Sequence, residues 1–214
     1  MIPPALYAKN LQLAESVRHL PGCVVECGVW RGGMSAGLAS VLGPDRNYFL
    51  FDSFEGLPPA QEIDGERAMK WQRDTASPSY YDNCSASEGF AREAMKLAGV
   101  QSAHFHPGWF KDTLPHFEST EPICLLRLDG DWYESTMQCL TYLFDRVTPG
   151  GLIVLDDYYA WDGCSRALHD YLSSHGAQER IRSLDDICYM IKLPSSREIQ
   201  SDDDLSKQTT SHEN

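Results

Sequence analysis

The sequence predicts an α/β fold: a seven-stranded, mostly parallel sheet with helices on both faces. Three observations predict it. Short apolar runs recur along the chain, among them 23–27, 48–51, 123–128 and 152–155. Segments with apolar residues at helical spacing separate them. Glycine, proline or an acid follows most of the runs, as at Gly28, Asp52 and Asp129. Strands that alternate with helices make a parallel sheet buried on both sides. The 214 residues, 42% hydrophobic and 23% charged, suffice for one domain with a sizeable core.

Along the chain, an N-terminal segment, 1–20, carries a helix over 5–20 with Leu6, Leu13, Val17 and Leu20 near one face. Cys23–Cys27 is a buried strand and 28–33 a turn. A helix over 35–42 ends at Gly43-Pro44. Tyr48–Phe51 is the second strand, closed by Asp52. Residues 53–84 are rich in Pro, Gly, Ser and charge and show no period. A structureless stretch of that length inside a domain is commonly a lid or substrate loop, expected to be mobile until ligands bind. Ser85 and Glu88 form a capping-box pattern for a helix to Leu97, and Gly99 ends it. Strands follow at 103–106 and 123–128, then a helix over 134–146. Pro149-Gly150-Gly151 reads as a turn before a strand at 152–155, and a helix spans 163–174. Segments 179–183 and 187–192 form a last pair of strands. The domain is therefore 21–194. Residues 195–214, with two basic and five acidic side chains, are expected to be a disordered tail.

Net charge is −13, from 18 Lys and Arg against 31 Asp and Glu. That argues against a nucleic-acid backbone or an anionic membrane surface as partner. No apolar run reaches the length of a membrane span, and the N-terminus lacks the pattern of a secretory signal. A cytoplasmic location is expected. Seven cysteines without a CxxC pair fit reduced, buried thiols better than a zinc site.

Ligands of open parallel sheets bind beyond the carboxyl ends of the strands. Four of the five parallel-strand ends carry an acid, at Glu26, Asp52, Asp129 with Asp131, and Asp156-Asp157. Glu26 precedes Gly28, Gly32 and Gly33, which allow close backbone approach at a helix start. The spacing is not the GxGxxG of a dinucleotide loop, and an acid there suits a cationic ligand such as a sulfonium. Asp52 is placed to accept hydrogen bonds from ribose hydroxyls. Carboxylates gathered at neighbouring strand ends repel one another unless a cation sits among them. An all-oxygen set selects Mg²⁺, Mn²⁺ or Ca²⁺. A tight turn, a surface cap and a solvated acidic rim are the plain alternatives for these three features.

Five motifs in order, VVECGVWRGG (24–33), FDSFEGLPP (51–59), GWFKDTLP (108–115), LRLDGDWYEST (126–136) and PGGLIVLDDY (149–158), resemble the macrocin O-methyltransferase, or TylF, family over about residues 20–192. The resemblance implies a Rossmann-like class I methyltransferase fold, S-adenosylmethionine as donor, and Mg²⁺ or Mn²⁺. It implies a small-molecule acceptor hydroxyl, on a sugar or glycosylated natural product, and allows a homodimer. By that resemblance Asp129, Asp156 and Asp157 hold the metal, and Asp129 is the general base. Glu26, Gly28, Trp30, Arg31, Gly32, Ser35, Asp52, Ser53, Gly108 and Trp109 hold the donor. Two other readings compete: a metal-dependent glycosyltransferase using Asp129-Gly130-Asp131 as a DxD motif, and a non-catalytic S-adenosylmethionine-binding protein.

Overall fold

The computed structural model describes residues 2–194. The tail expected at 195–214 lies outside the described residues. The sheet contains β1 (Cys23–Cys27), β2 (Asn47–Asp52), β3 (Ser102–Pro107), β4 (Ile123–Leu128), β5 (Val147–Leu155), β6 (Arg182–Leu184) and β7 (Ile187–Ile191). Their order is β3-β2-β1-β4-β5-β7-β6. The first five strands are parallel, and β7 runs antiparallel to β5 and β6. The chain steps outward from β1 to β3, then crosses back to place β4 beside β1. This reversal opens a crevice at the carboxyl ends of β1 and β4, where ligands of such sheets bind.

β1 and β4 are buried at every position, as central strands covered on both sides must be. On one face α5 (Tyr133–Leu143) and α6 (Asp162–Ser174) pack Leu140, Leu143 and Leu168 over Val25, Leu126 and Ile153. On the other, α1 (Pro4–Glu15), α2 (Gly33–Leu42) and α4 (Glu88–Leu97) pack Ala14, Leu38 and Met95 over Val24, Leu125 and Val154. All seven cysteines are free, and Cys84 alone among them is not fully buried. No helix among the described residues is long and apolar enough to cross a membrane.

Several elements depart from the sequence expectation. The first helix stops at Glu15, because residues 16–20 tighten into turns whose N–H groups bond three residues back. Residues 53–84 are not structureless: they hold α3 (Glu66–Arg73) between short 3₁₀ turns at Glu62–Asp64 and Asp82–Cys84. α3 buries only Ala68 completely, so it has no apolar stripe for a period to reveal. Ser87, not Ser85, caps α4, and its hydroxyl accepts from Gly89 N–H. Gly99 follows with φ +76°, the left-handed position that closes a helix. The Pro149-Gly150-Gly151 segment belongs to β5, held in the ladder by reciprocal bonds to Lys192 at 2.8 and 2.9 Å. β6 begins at Arg182 rather than 179, because Glu179 turns inward to accept from Lys192 Nζ and Leu193 N–H.

Candidate active site

Beyond the strand ends lies a cavity of about 1070 Å³. That is large enough for a nucleoside-sized ligand and a second small molecule together. Its floor is the glycine loop after β1. Gly28 has φ +91°, and a Cβ there would lie 1.7 Å from the Asp129 carbonyl oxygen, so only glycine lets β1 and β4 end side by side. Gly32 has φ +75°, and a Cβ there would lie 2.7 Å from Ala91 Cα on α4.

Asp52 binds this loop directly. Its Oδ2 accepts from the N–H groups of Val29 and Trp30, both at 2.7 Å, and Oδ1 accepts from Phe54 N–H at 2.6 Å. A carboxylate that gathers three backbone donors fixes the loop, whatever else it contacts. Trp30 is held with φ +48° and donates from its indole to the Ser85 carbonyl at 3.3 Å. Arg31 lies over the rings of Trp30 and Phe90. Glu26, Gly28, Trp30, Arg31, Asp52, Ser53, Gly108 and Trp109 line the cavity. Gly32 and Ser35 are not among the lining residues. Gly32 packs on α4, and the buried Ser35 donates its hydroxyl to Glu26.

Asp129, Asp156 and Asp157 come together at the ends of β4 and β5, with one oxygen from each within 4.8 Å of the others. A fourth acid, Asp131, lines the same cavity with φ +57°, its Oδ1 accepting from the Trp161 indole at 2.8 Å. Its backbone N–H donates to Asp157 Oδ2 at 3.0 Å.

At the centre of these acids stands Arg127, a residue that sequence reasoning missed. It is 2% exposed, at a position of β4 paired with Glu26 of β1. Its Nη1 donates to Glu26 Oε1 and Asp129 Oδ2, both at 2.8 Å, and Nη2 to Asp156 Oδ1 at 2.6 Å. The signal for it was present: an arginine inside the apolar run Ile123–Leu128 needs a charged partner once buried. Glu26, itself 1% exposed, is therefore not a free acid facing a cationic ligand. Its two oxygens are engaged by Arg127 and Ser35.

One guanidinium does not balance five carboxylates. Burial pushes Glu26 up to about 7 against the pull of Arg127. Burial, then Asp129, pushes Asp131 up to about 8. Burial raises Asp157 well above the ordinary carboxylate range, with Asp131 and Asp129 adding to it, and raises Asp156 despite Arg127. This strand end thus holds more negative charge than its protein partners neutralise, and a hard divalent cation fits the surplus. The donor set is all carboxylate oxygen, the chemistry of Mg²⁺ or Mn²⁺ rather than zinc.

The rest of the wall comes from the 53–84 segment, with Leu57, Pro58, Tyr81 and Cys84, and from Ile2 and Tyr7 at the N-terminus. The segment is tied to the rest of the protein at two points and across itself at a third. Trp132 Nε1 donates to the Pro58 carbonyl at 2.9 Å, Asn83 Nδ2 to the Leu57 carbonyl at 2.7 Å, and Tyr133 N–H to Asp64 Oδ1 at 2.7 Å. Trp71 of the segment packs edge to face on Trp132 and Trp161, which pack on each other in the same way.

Residues 9–192 match the macrocin O-methyltransferase (TylF) family. Over 185 residues the chain is 36% identical to 8-demethyl-8-(2,3-dimethoxy-alpha-L-rhamnosyl)-tetracenomycin-C 4'-O-methyltransferase of Streptomyces olivaceus, covering 84% of this chain and 67% of that protein. It is 34% identical over 174 residues to mycinamicin III 3''-O-methyltransferase of Micromonospora griseorubida, covering 78% and 66%. The chain spans about two thirds of the length of these relatives. Among solved structures, the O-methyltransferase NovP superposes with a TM-score of 0.70 at 31% identity, covering 88% of this chain and 80% of that one. TomG from Streptomyces achromogenes, solved with S-adenosylmethionine, shares the fold with a TM-score of 0.60 at 15% identity, covering 91% and 82%. The glycosyltransferase reading finds no support in this kinship. The chain belongs to the macrocin O-methyltransferase family, S-adenosylmethionine-dependent O-methyltransferases on a Rossmann-like class I methyltransferase fold.

Proposed function

We propose that this chain methylates a hydroxyl of a sugar or glycosylated natural product, with Mg²⁺ or Mn²⁺ held by Asp129, Asp156 and Asp157. The observation that carries the reading is the meeting of these three carboxylates within one cavity that the glycine loop also lines. A divalent ion there supplies a Lewis acid that lowers the pKa of an acceptor hydroxyl. The chain's own residues do the rest. Asp129 takes the proton as the acceptor oxygen attacks the methyl carbon. A carbon–oxygen bond forms and the carbon–sulfur bond breaks, so S-adenosylhomocysteine leaves. The loop braced by Asp52, with Ser53, Gly108 and Trp109, seats the donor. Leu57, Pro58, Tyr81 and Tyr159 give the acceptor a wall of apolar and aromatic faces, suited to the ring of a glycoside. Closure of the 53–84 segment excludes water.

The test is transfer of labelled methyl from S-adenosylmethionine to a panel of deoxysugar glycosides and catechols. Label on a glycoside hydroxyl is the expected result. Transfer to catechols alone would overturn the acceptor class, and a protein that binds the donor but labels nothing would favour the non-catalytic alternative.

A further inference from the structure

We propose that Arg127 is a positioning residue that presents Asp129 and Asp156 to the divalent ion; the inference rests on the metal reading above. Its guanidinium reaches three adjacent strands at once, touching Glu26 at the end of β1, Asp129 beyond β4 and Asp156 beyond β5. The register pairing Glu26 with Arg127 sets the base of this bridge. Arg127 takes Oδ2 of Asp129 and Oδ1 of Asp156. Among the described residues the other oxygen of each, Asp129 Oδ1 and Asp156 Oδ2, accepts no protein hydrogen bond, and these are the oxygens left to ligate. The nitrogens of a guanidinium are held in one rigid plane, so the oxygens they bind keep fixed positions relative to one another, which a point charge cannot impose on three acids at once. Burial at 2% exposure strengthens the bridge further, because water does not compete for it.

A different role is conceivable for the same contacts. A fixed positive charge could serve only to neutralise the acids, and it would then oppose a second cation. The two roles give opposite signs. A positioning residue strengthens metal binding, because partners that orient ligands are worth about 10- to 100-fold in affinity. A neutralising residue weakens it.

Mn²⁺ titration followed by electron paramagnetic resonance, without donor or acceptor, separates them. Arg127→Lys keeps the charge and can still pair with Glu26 but cannot bridge both aspartates. It is expected to raise the Mn²⁺ dissociation constant about 10- to 100-fold. Calorimetry should find its S-adenosylhomocysteine affinity within about threefold of wild type, a split that general loss of structure would not give. Arg127→Met removes the charge, and it too should bind Mn²⁺ more weakly. If that variant fails to fold because Glu26 is left buried and unpaired, Arg127→Lys carries the test alone. Mn²⁺ binding as tight as wild type or tighter, in either folded variant, would overturn the proposal while leaving the metal site standing. Wild-type protein that takes up no Mn²⁺ would overturn the metal reading and this inference together.

Discussion

Asp52 and Asp129 each close a central strand, yet their partners give them different work. Asp52 accepts three backbone N–H groups and so builds the glycine loop. Asp52→Ala should therefore lower the unfolding free energy by about 2–4 kcal/mol, and S-adenosylhomocysteine affinity should fall with it. Denaturant melts and calorimetry read the two effects, and a variant with wild-type stability would contradict the bracing role. Asp129→Asn keeps the shape but, on the proposed mechanism, loses a ligand charge and the proton acceptor. Its kcat should fall about 100-fold or more while S-adenosylhomocysteine binds within about twofold of wild type. Asp156→Asn and Asp157→Asn should chiefly raise the Mg²⁺ concentration needed for half-maximal rate. Away from the site, His106 stacks on Phe51 with ring centroids 4.4 Å apart, and its buried Nε2 has no partner. Burial, then His104, lowers its pKa from 6.5. The folded protein therefore keeps His106 neutral where the unfolded chain already takes a proton. Its contribution is present above pH 6.5 and is lost as pH falls through the folded value. Melts at pH 7.5 and 5.5 should show His106→Phe losing less stability on acidification than wild type does.

The 53–84 segment is the element whose behaviour matters most for the acceptor. Trp132→Phe removes the N–H that holds the Pro58 carbonyl and should cost about 1–3 kcal/mol of local anchoring. Hydrogen exchange should show the amides of 56–83 opening faster than those of β1 and β4, and slowing when S-adenosylhomocysteine and Mg²⁺ are added. Equal protection with and without ligands would argue against a closing lid. The same segment marks where sequence patterning stopped being informative. β1 and β4 were legible because continuous apolar runs between turn residues leave little choice. α3 was not, because an eight-residue helix that fully buries only Ala68 owes its place to Trp71, Gln72 and Asp64 meeting distant partners. The sequence pattern points to Ser85 because Glu88 stands three residues after it, at capping-box spacing, whereas the true cap Ser87 has Phe90 at that place.

At the scale of the whole molecule, alternation of strand and helix announced the sheet, and the acids at the strand ends announced the site. The bridge through Arg127 could not be read the same way. It depends on the register between strands whose paired residues lie 101 positions apart, and strands buried on both faces show no alternation from which register could be read. Crossing from β3 back to β4 is what makes one cavity of glycine loop and acid cluster, and the proposed mechanism draws on both. The most direct measurement is turnover of S-adenosylmethionine with a glycoside acceptor, in protein stripped with EDTA and then titrated with Mg²⁺ or Mn²⁺. Activity should vanish on stripping and return with either ion, while S-adenosylhomocysteine binding persists throughout. Full turnover in EDTA would contradict the metal-assisted mechanism.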